Sequence, residues 1–162
     1  MRTSELSQSE LTEYAREAVR ISREHVAGGG IPFSGVVVNR NRILGTGVNR
    51  VREDNDPTAH AEVTALREAA AAHGLHATAG ATLFASGEPC ALCYMASLYF
   101  NVSHIVNVVD RKTAARYGFD YTSSYSIFAD DPENWPIKVT WLRLPEGTKP
   151  FEEFLAMERG RS

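Results

Sequence analysis

Helical and strand-like segments alternate along this 162-residue chain, which predicts an α/β fold. The expected form is a three-layer α/β/α sandwich, with helices on both faces of one sheet. Two further observations support it. With 43% hydrophobic and 23% charged residues, the chain has the balance of an ordinary domain able to bury its own core. No repeat or low-complexity linker divides it, so residues 1–162 are expected to form a single domain.

The elements follow in order. Ser7 with Glu10 three residues later reads as a capping box. Leu11, Tyr14, Ala15, Ala18, Ile21, Ser22 and Val26 then recur at helical spacing, until Gly28-Gly29-Gly30 stops the helix. Apolar runs over Phe33–Val38 and Ile43–Val48 flank Asn39-Arg40-Asn41-Arg42, the pattern of a β-hairpin with a polar turn. Asp56-Pro57-Thr58 reads as a helix start, followed by a helix from Ala59 to His73 that Gly74 closes. Ala81–Ser86 reads as a buried strand, Ala91–Phe100 as an apolar helix and Ile105–Val109 as a β-branched strand. A short helix over Thr113–Tyr117 ends at Gly118. A tyrosine- and serine-rich stretch precedes an expected strand at Ile137–Leu142 and a terminal helix at Phe151–Met157.

Composition excludes several function classes. No run of about 18 apolar residues exists to span a membrane. Met1-Arg2-Thr3-Ser4-Glu5 carries no charged-then-apolar leader pattern, so a cytoplasmic location is expected. A net charge of −3 argues against a large basic surface that tracks a phosphate backbone. The final third is acidic, with Asp130, Asp131, Glu133, Glu146, Glu152 and Glu153, so nucleic acid is not the expected partner.

The only two cysteines are Cys90 and Cys93. Two cysteines at this spacing suit either a redox pair or two ligands of a metal, and two thiolates alone do not fill a zinc coordination sphere. His60 supplies a third donor, and three protein ligands leave the fourth tetrahedral position for water. Both His60 and the cysteine pair fall at expected helix starts, where free N–H groups and the helix dipole favour thiolate over thiol. Glu62 lies two residues beyond His60, about 200° around a helix. It is read as a proton carrier beside the water rather than a ligand.

His-x-Glu followed by Pro-Cys-x-x-Cys is the signature of zinc-dependent nucleobase deaminases. On these residues the chain resembles the cytidine-deaminase superfamily, and more closely its guanine-deaminase-like nucleobase and nucleoside deaminase branch. The likeness also rests on Pro32-Phe33, Asn49, Asn55-Asp56-Pro57-Thr58-Ala59, Gly87-Glu88 and the run from Ala114 to Asp120. The resemblance implies a mixed five-stranded sheet and one Zn²⁺ per subunit on His60, Cys90 and Cys93, with Glu62 shuttling protons. It implies that Asn49 hydrogen-bonds the base edge and that Phe33 lines the pocket.

One departure shifts the substrate expectation. The guanine-deaminase pattern continues with two aspartates after the phenylalanine, where this chain has Asp120-Tyr121. A phenol, with an ordinary pKa of about 10, is no base at neutral pH, although it can hydrogen-bond or stack on a ring. The expected substrate is therefore a free nucleobase or related amino-substituted heterocycle, guanine-type or a cytosine or triazine analogue. Asp120 and Tyr121 are candidate substrate contacts. A nucleoside deaminase, a tRNA-editing adenosine deaminase and a non-catalytic zinc module are the alternatives. The resemblance further implies a homodimer, with residues 137–162 as a C-terminal lid or exchanged segment.

Overall fold

A computed structural model of the chain describes residues 5–161; Met1–Ser4, which carry the leader reading, and Ser162 lie outside the described residues. The capping box forms as expected at helix α1 (Gln8–Ala27). The Ser7 hydroxyl accepts from the Glu10 N–H at 3.3 Å, and the Glu10 carboxylate accepts from the Ser7 N–H at 2.7 Å. Strands β1 (Ser34–Asn39) and β2 (Arg42–Val48) make the hairpin. Its turn residues Arg40 and Asn41 both have positive φ, 49° and 57°, the mirror-image turn whose twist matches that of the strands.

The sheet has the order β2-β1-β3-β4, with β3 (Thr82–Gly87) antiparallel to β1 and parallel to β4 (His104–Val109). The parallel step requires a crossover, which helix α4 (Ala91–Tyr99) supplies. Side-chain alternation sends Val36, Val38, Phe84 and Val106 to a cluster with Ala18 and Tyr14 of α1. It sends Val37, Leu83 and Ile105 to a second cluster with Ala65, Leu66 and Ala69. Those three alanine and leucine positions belong to α3 (Ala61–His73), so helices cover both faces of the sheet.

Helix α3 lies directly on β2 because the strand is bare there. A Cβ at Gly47 would sit 2.4 Å from the Ala65 nitrogen, and one at Gly45 would sit 2.6 Å from that of Ala69. The close approach sets the depth at which the N-terminus of α3 presents its side chains. Helix α2 (Val51–Asp54), α5 (Arg111–Arg116) and α6 (Ser123–Phe128) complete this part of the chain; α2 and α6 had no sequence signal in the reading above. Among the described residues no helix is long and apolar enough to cross a membrane.

The chain divides into two compact units, Met1–Ala129 and Asp130–Ser162. The second contains α7 (Lys149–Arg159), which begins with Pro150 in its first turn. The sheet has four strands, not five: the expected strand at Ile137–Leu142 joins no ladder among the described residues. Alternating β-branched and aromatic residues give a segment strand propensity, but a strand exists only when a neighbour supplies N–H and C=O partners.

Candidate active site and metal centre

Two helix N-termini build the centre. His60 is the N-cap of α3 and Cys90 the N-cap of α4, each extended, with ψ of 153° and 175°. Helix α3 therefore starts at Ala61, not Ala59. The segment Pro57–His60 delivers the imidazole instead of forming the first turn, so the 200° helical offset between His60 and Glu62 does not apply. Cys93 lies in the first turn of α4 and is fully buried.

The three donors converge. His60 Nδ1 is 3.4 Å from Cys90 Sγ and 3.4 Å from Cys93 Sγ, and the two sulfurs are 3.7 Å apart. Ordinary Zn–S and Zn–N bonds at a tetrahedral centre hold two sulfurs about 3.8 Å apart and a sulfur and nitrogen about 3.6 Å apart. The donor set and its spacing fit one Zn²⁺. The shared sulfur hydrogen bond, with His60 assisting, draws the Cys90 thiol down to about 4 and holds the remaining proton on Cys93. The same contact with Cys90 pushes the His60 imidazole up. The cluster thus gives up its first thiol proton easily, and His60, Cys90 and Cys93 would hold a cation as an imidazole and two thiolates.

Glu62 stands beside this cluster, only 4% exposed, and the Cys93 thiol donates to its Oε2 at 3.3 Å. Burial pushes its carboxyl up to about 7. A cavity of about 330 Å³ opens over His60, Glu62 and Cys90, and the same walls include Phe33, Asn49, Asp120 and Tyr121. Of the eight sequence-predicted residues, only Cys93 is set behind the wall rather than in it.

Each wall residue is held in place. Asn49 is 8% exposed, and its side-chain oxygen accepts from the Val51 N–H at 3.1 Å. Phe33 meets Phe119 edge to face at 5.2 Å and Tyr121 at 6.4 Å. Gly87 makes room for it, since a Cβ there would lie 2.6 Å from the Phe33 ring. The Asp120 carboxylate accepts from the Thr122 N–H at 3.0 Å and hydroxyl at 2.7 Å, which holds it below the ordinary carboxylate range. Burial pushes the Tyr121 phenol up, so it remains a donor.

Two supports lie outside the sequence reading. His25, in the last turn of α1, bonds the Asn49 carbonyl through Nε2 at 2.7 Å and so props the strand end that carries the amide. Glu88 accepts from the Arg111 N–H at 2.7 Å and ties the loop before Cys90 to the start of α5. No local spacing announces the first contact, which spans 24 residues. The second had a signal, because Glu88 directly precedes Pro89-Cys90.

The model of the cytidine and deoxycytidylate deaminase zinc-binding region matches residues 8–109. The chain is 34% identical over 140 residues to guanine deaminase of Bacillus subtilis (strain 168), covering 86% of this chain and 90% of that one. An X-ray structure of guanine deaminase from Bacillus subtilis superposes with a TM-score of 0.79 at 31% identity, covering 93% of this chain and 95% of that one. A tRNA-specific adenosine deaminase of Aquifex aeolicus (strain VF5) is 25% identical over 142 residues, 87% of this chain and 91% of the other. Because the family match runs from the first helix to the end of β4, and the guanine deaminase aligns almost end to end, this chain belongs to the zinc-binding cytidine and deoxycytidylate deaminase family, whose enzymes hydrolyse C–N bonds.

Proposed function

We propose that the chain is a zinc-dependent hydrolytic deaminase of a free nucleobase or related amino-substituted N-heterocycle. The observation that carries this reading is the cavity of about 330 Å³ against the three-ligand cluster. It lies at the small end of ligand pockets and suits a flat one- or two-ring molecule. When bound, zinc supplies Lewis acidity that makes a water nucleophilic near neutral pH.

The chain's own residues do the rest. Glu62 takes a proton from the attacking water and passes it to a ring nitrogen, then carries the remaining hydroxyl proton to the departing amine as the carbonyl forms. A C–O bond forms at the ring carbon, the C–N bond breaks, and ammonia leaves. The Asn49 amide hydrogen-bonds the base edge. Phe33 and Tyr121 wall the ring, and ionised Asp120 accepts an N–H at the cavity's edge. Because Tyr121 is no base, the substrate class extends from guanine to cytosine and triazine analogues.

The test is ammonia release from guanine, cytosine, 5-azacytosine, isoguanine, ammeline, cytidine and guanosine, with tRNA alongside. Turnover of at least one free base, above that of either nucleoside and of tRNA, is expected. The likeness to tRNA-specific adenosine deaminases supports a second reading, against which the net charge of −3 stands. Release from tRNA and from no free base selects that second reading. We also propose a homodimer in which residues 137–162 of one subunit cover the other's active site, supported by the exposed apolar side chains of that segment.

A further inference from the structure

The backbone on both sides of Cys90 is gripped by hydroxyl groups from residues 121–125. Tyr121 Oη donates to the Glu88 carbonyl at 2.5 Å, and Tyr125 Oη donates to the Pro89 carbonyl. On the far side the Ala91 N–H donates to Ser124 Oγ at 3.2 Å. The Pro89 carbonyl belongs to the peptide plane that leads into Cys90, and the Ala91 N–H belongs to the plane that leads out. With both planes anchored from outside α4, Cys90 is held at φ −70° and ψ 175°. These partners meet a need of the local structure. The Glu88 and Pro89 carbonyls precede the helix and have no intrahelical donor, and Pro89 is fully buried.

The clamp is itself braced. Ser124 Oγ donates to the Tyr121 carbonyl at 2.7 Å, which links two of its members. The Arg111 guanidinium lies 4.4 Å from the Tyr125 ring centroid and fixes the direction of that ring. Burial pushes the Tyr125 phenol up to about 12, so it stays a donor throughout the neutral range.

We infer that Tyr121, Ser124 and Tyr125 are positioning residues for the metal: a hydroxyl clamp that presets the Cys90 sulfur for coordination. Outer partners that orient metal ligands typically contribute 10–100-fold in metal affinity. Tyr121 also lines the cavity, so the clamp couples the substrate wall to a metal ligand through one short segment. The inference rests on the assignment of zinc to His60, Cys90 and Cys93, and is independent of which heterocycle is the substrate.

The experiment uses the full-length zinc-loaded protein and the variants Tyr125→Phe, Tyr121→Phe and Ser124→Ala, with Cys90→Ala as reference. Zinc affinity is measured by chelator competition, and ligand geometry by the absorption bands of the cobalt-substituted protein. Tyr125→Phe is expected to weaken zinc binding about tenfold and to shift the thiolate–cobalt bands. Its circular dichroism should match that of the parent. Affinities within twofold of the parent for all three variants, with unchanged cobalt bands, overturn the clamp. Ser124→Ala removes one partly exposed hydroxyl and keeps the test decisive if a tyrosine variant fails to fold. Full zinc retention by Cys90→Ala overturns the metal assignment itself, which separates that failure from failure of the clamp alone.

Discussion

Glu62 is the residue on which the proposed chemistry turns. Its carboxyl is buried, touches Cys93 and borders the cavity, so it can carry a proton without being needed to hold the ion. Glu62→Ala is therefore expected to keep zinc by elemental analysis while ammonia release falls by about 10²–10⁴-fold. Cys90→Ala should lose both zinc and activity. Normal turnover in Glu62→Ala would end the shuttle role. A gentler effect is expected at Asn49, where replacement by alanine should raise KM for the base and leave zinc content unchanged. The donor set of His60, Cys90 and Cys93 was legible in the sequence because metal ligation accepts few residue types at fixed spacings, whereas the place of Asn49 came only from the family resemblance. The supports of these residues were not legible. A histidine that bonds a distant carbonyl, as His25 does, or a tyrosine that bonds Pro89 across 36 residues, follows no spacing rule.

At the scale of elements, the site depends on how closely α3 lies on β2. Gly47→Ala places a methyl group 2.4 Å from the Ala65 nitrogen, a backbone atom with no freedom to turn aside. Helix α3 must lift, and its N-cap His60 moves with it. The expected cost is about 1–3 kcal/mol, read as a lower urea midpoint, together with weaker zinc retention. An unchanged midpoint would show that α3 can shift freely. Most elements were legible from periodicity, including the capped first helix and the hairpin. Two errors have physical causes. Pro57 has the preferences of a first helical residue, yet Pro57 and Thr58 form a turn, closed by the Ala59 N–H on the Asp56 carbonyl, and the extended His60 that follows aims the imidazole. The alternation at 137–142 states a propensity that is realised only against a neighbouring strand.

For the whole molecule, residues beyond Ala129 pose the main question. Within that unit, Ile137 is 66% exposed, Trp141 82%, Leu142 80% and Phe151 71%, and α7 leaves Phe154 and Leu155 more than half exposed. Segments of fewer than about 40 residues rarely bury enough surface to fold alone, which supports the proposal that this one covers another surface. In the first unit Leu98 and Tyr99 at the end of α4, and Tyr117 after α5, are likewise more than half exposed. Apolar side chains exposed in such numbers support the proposed association. A deaminase pocket also needs to exclude water from the ring it holds. Both needs are met if the segment of one subunit closes the site of a second. Removal of all residues after Leu144 deletes α7 but none of the three zinc ligands, which lie at positions 60, 90 and 93. The full chain is expected to run as a dimer in light scattering, and the truncated protein to bind zinc, to run as a monomer and to release no ammonia. A truncated monomer with full activity would remove both the lid and the exchange.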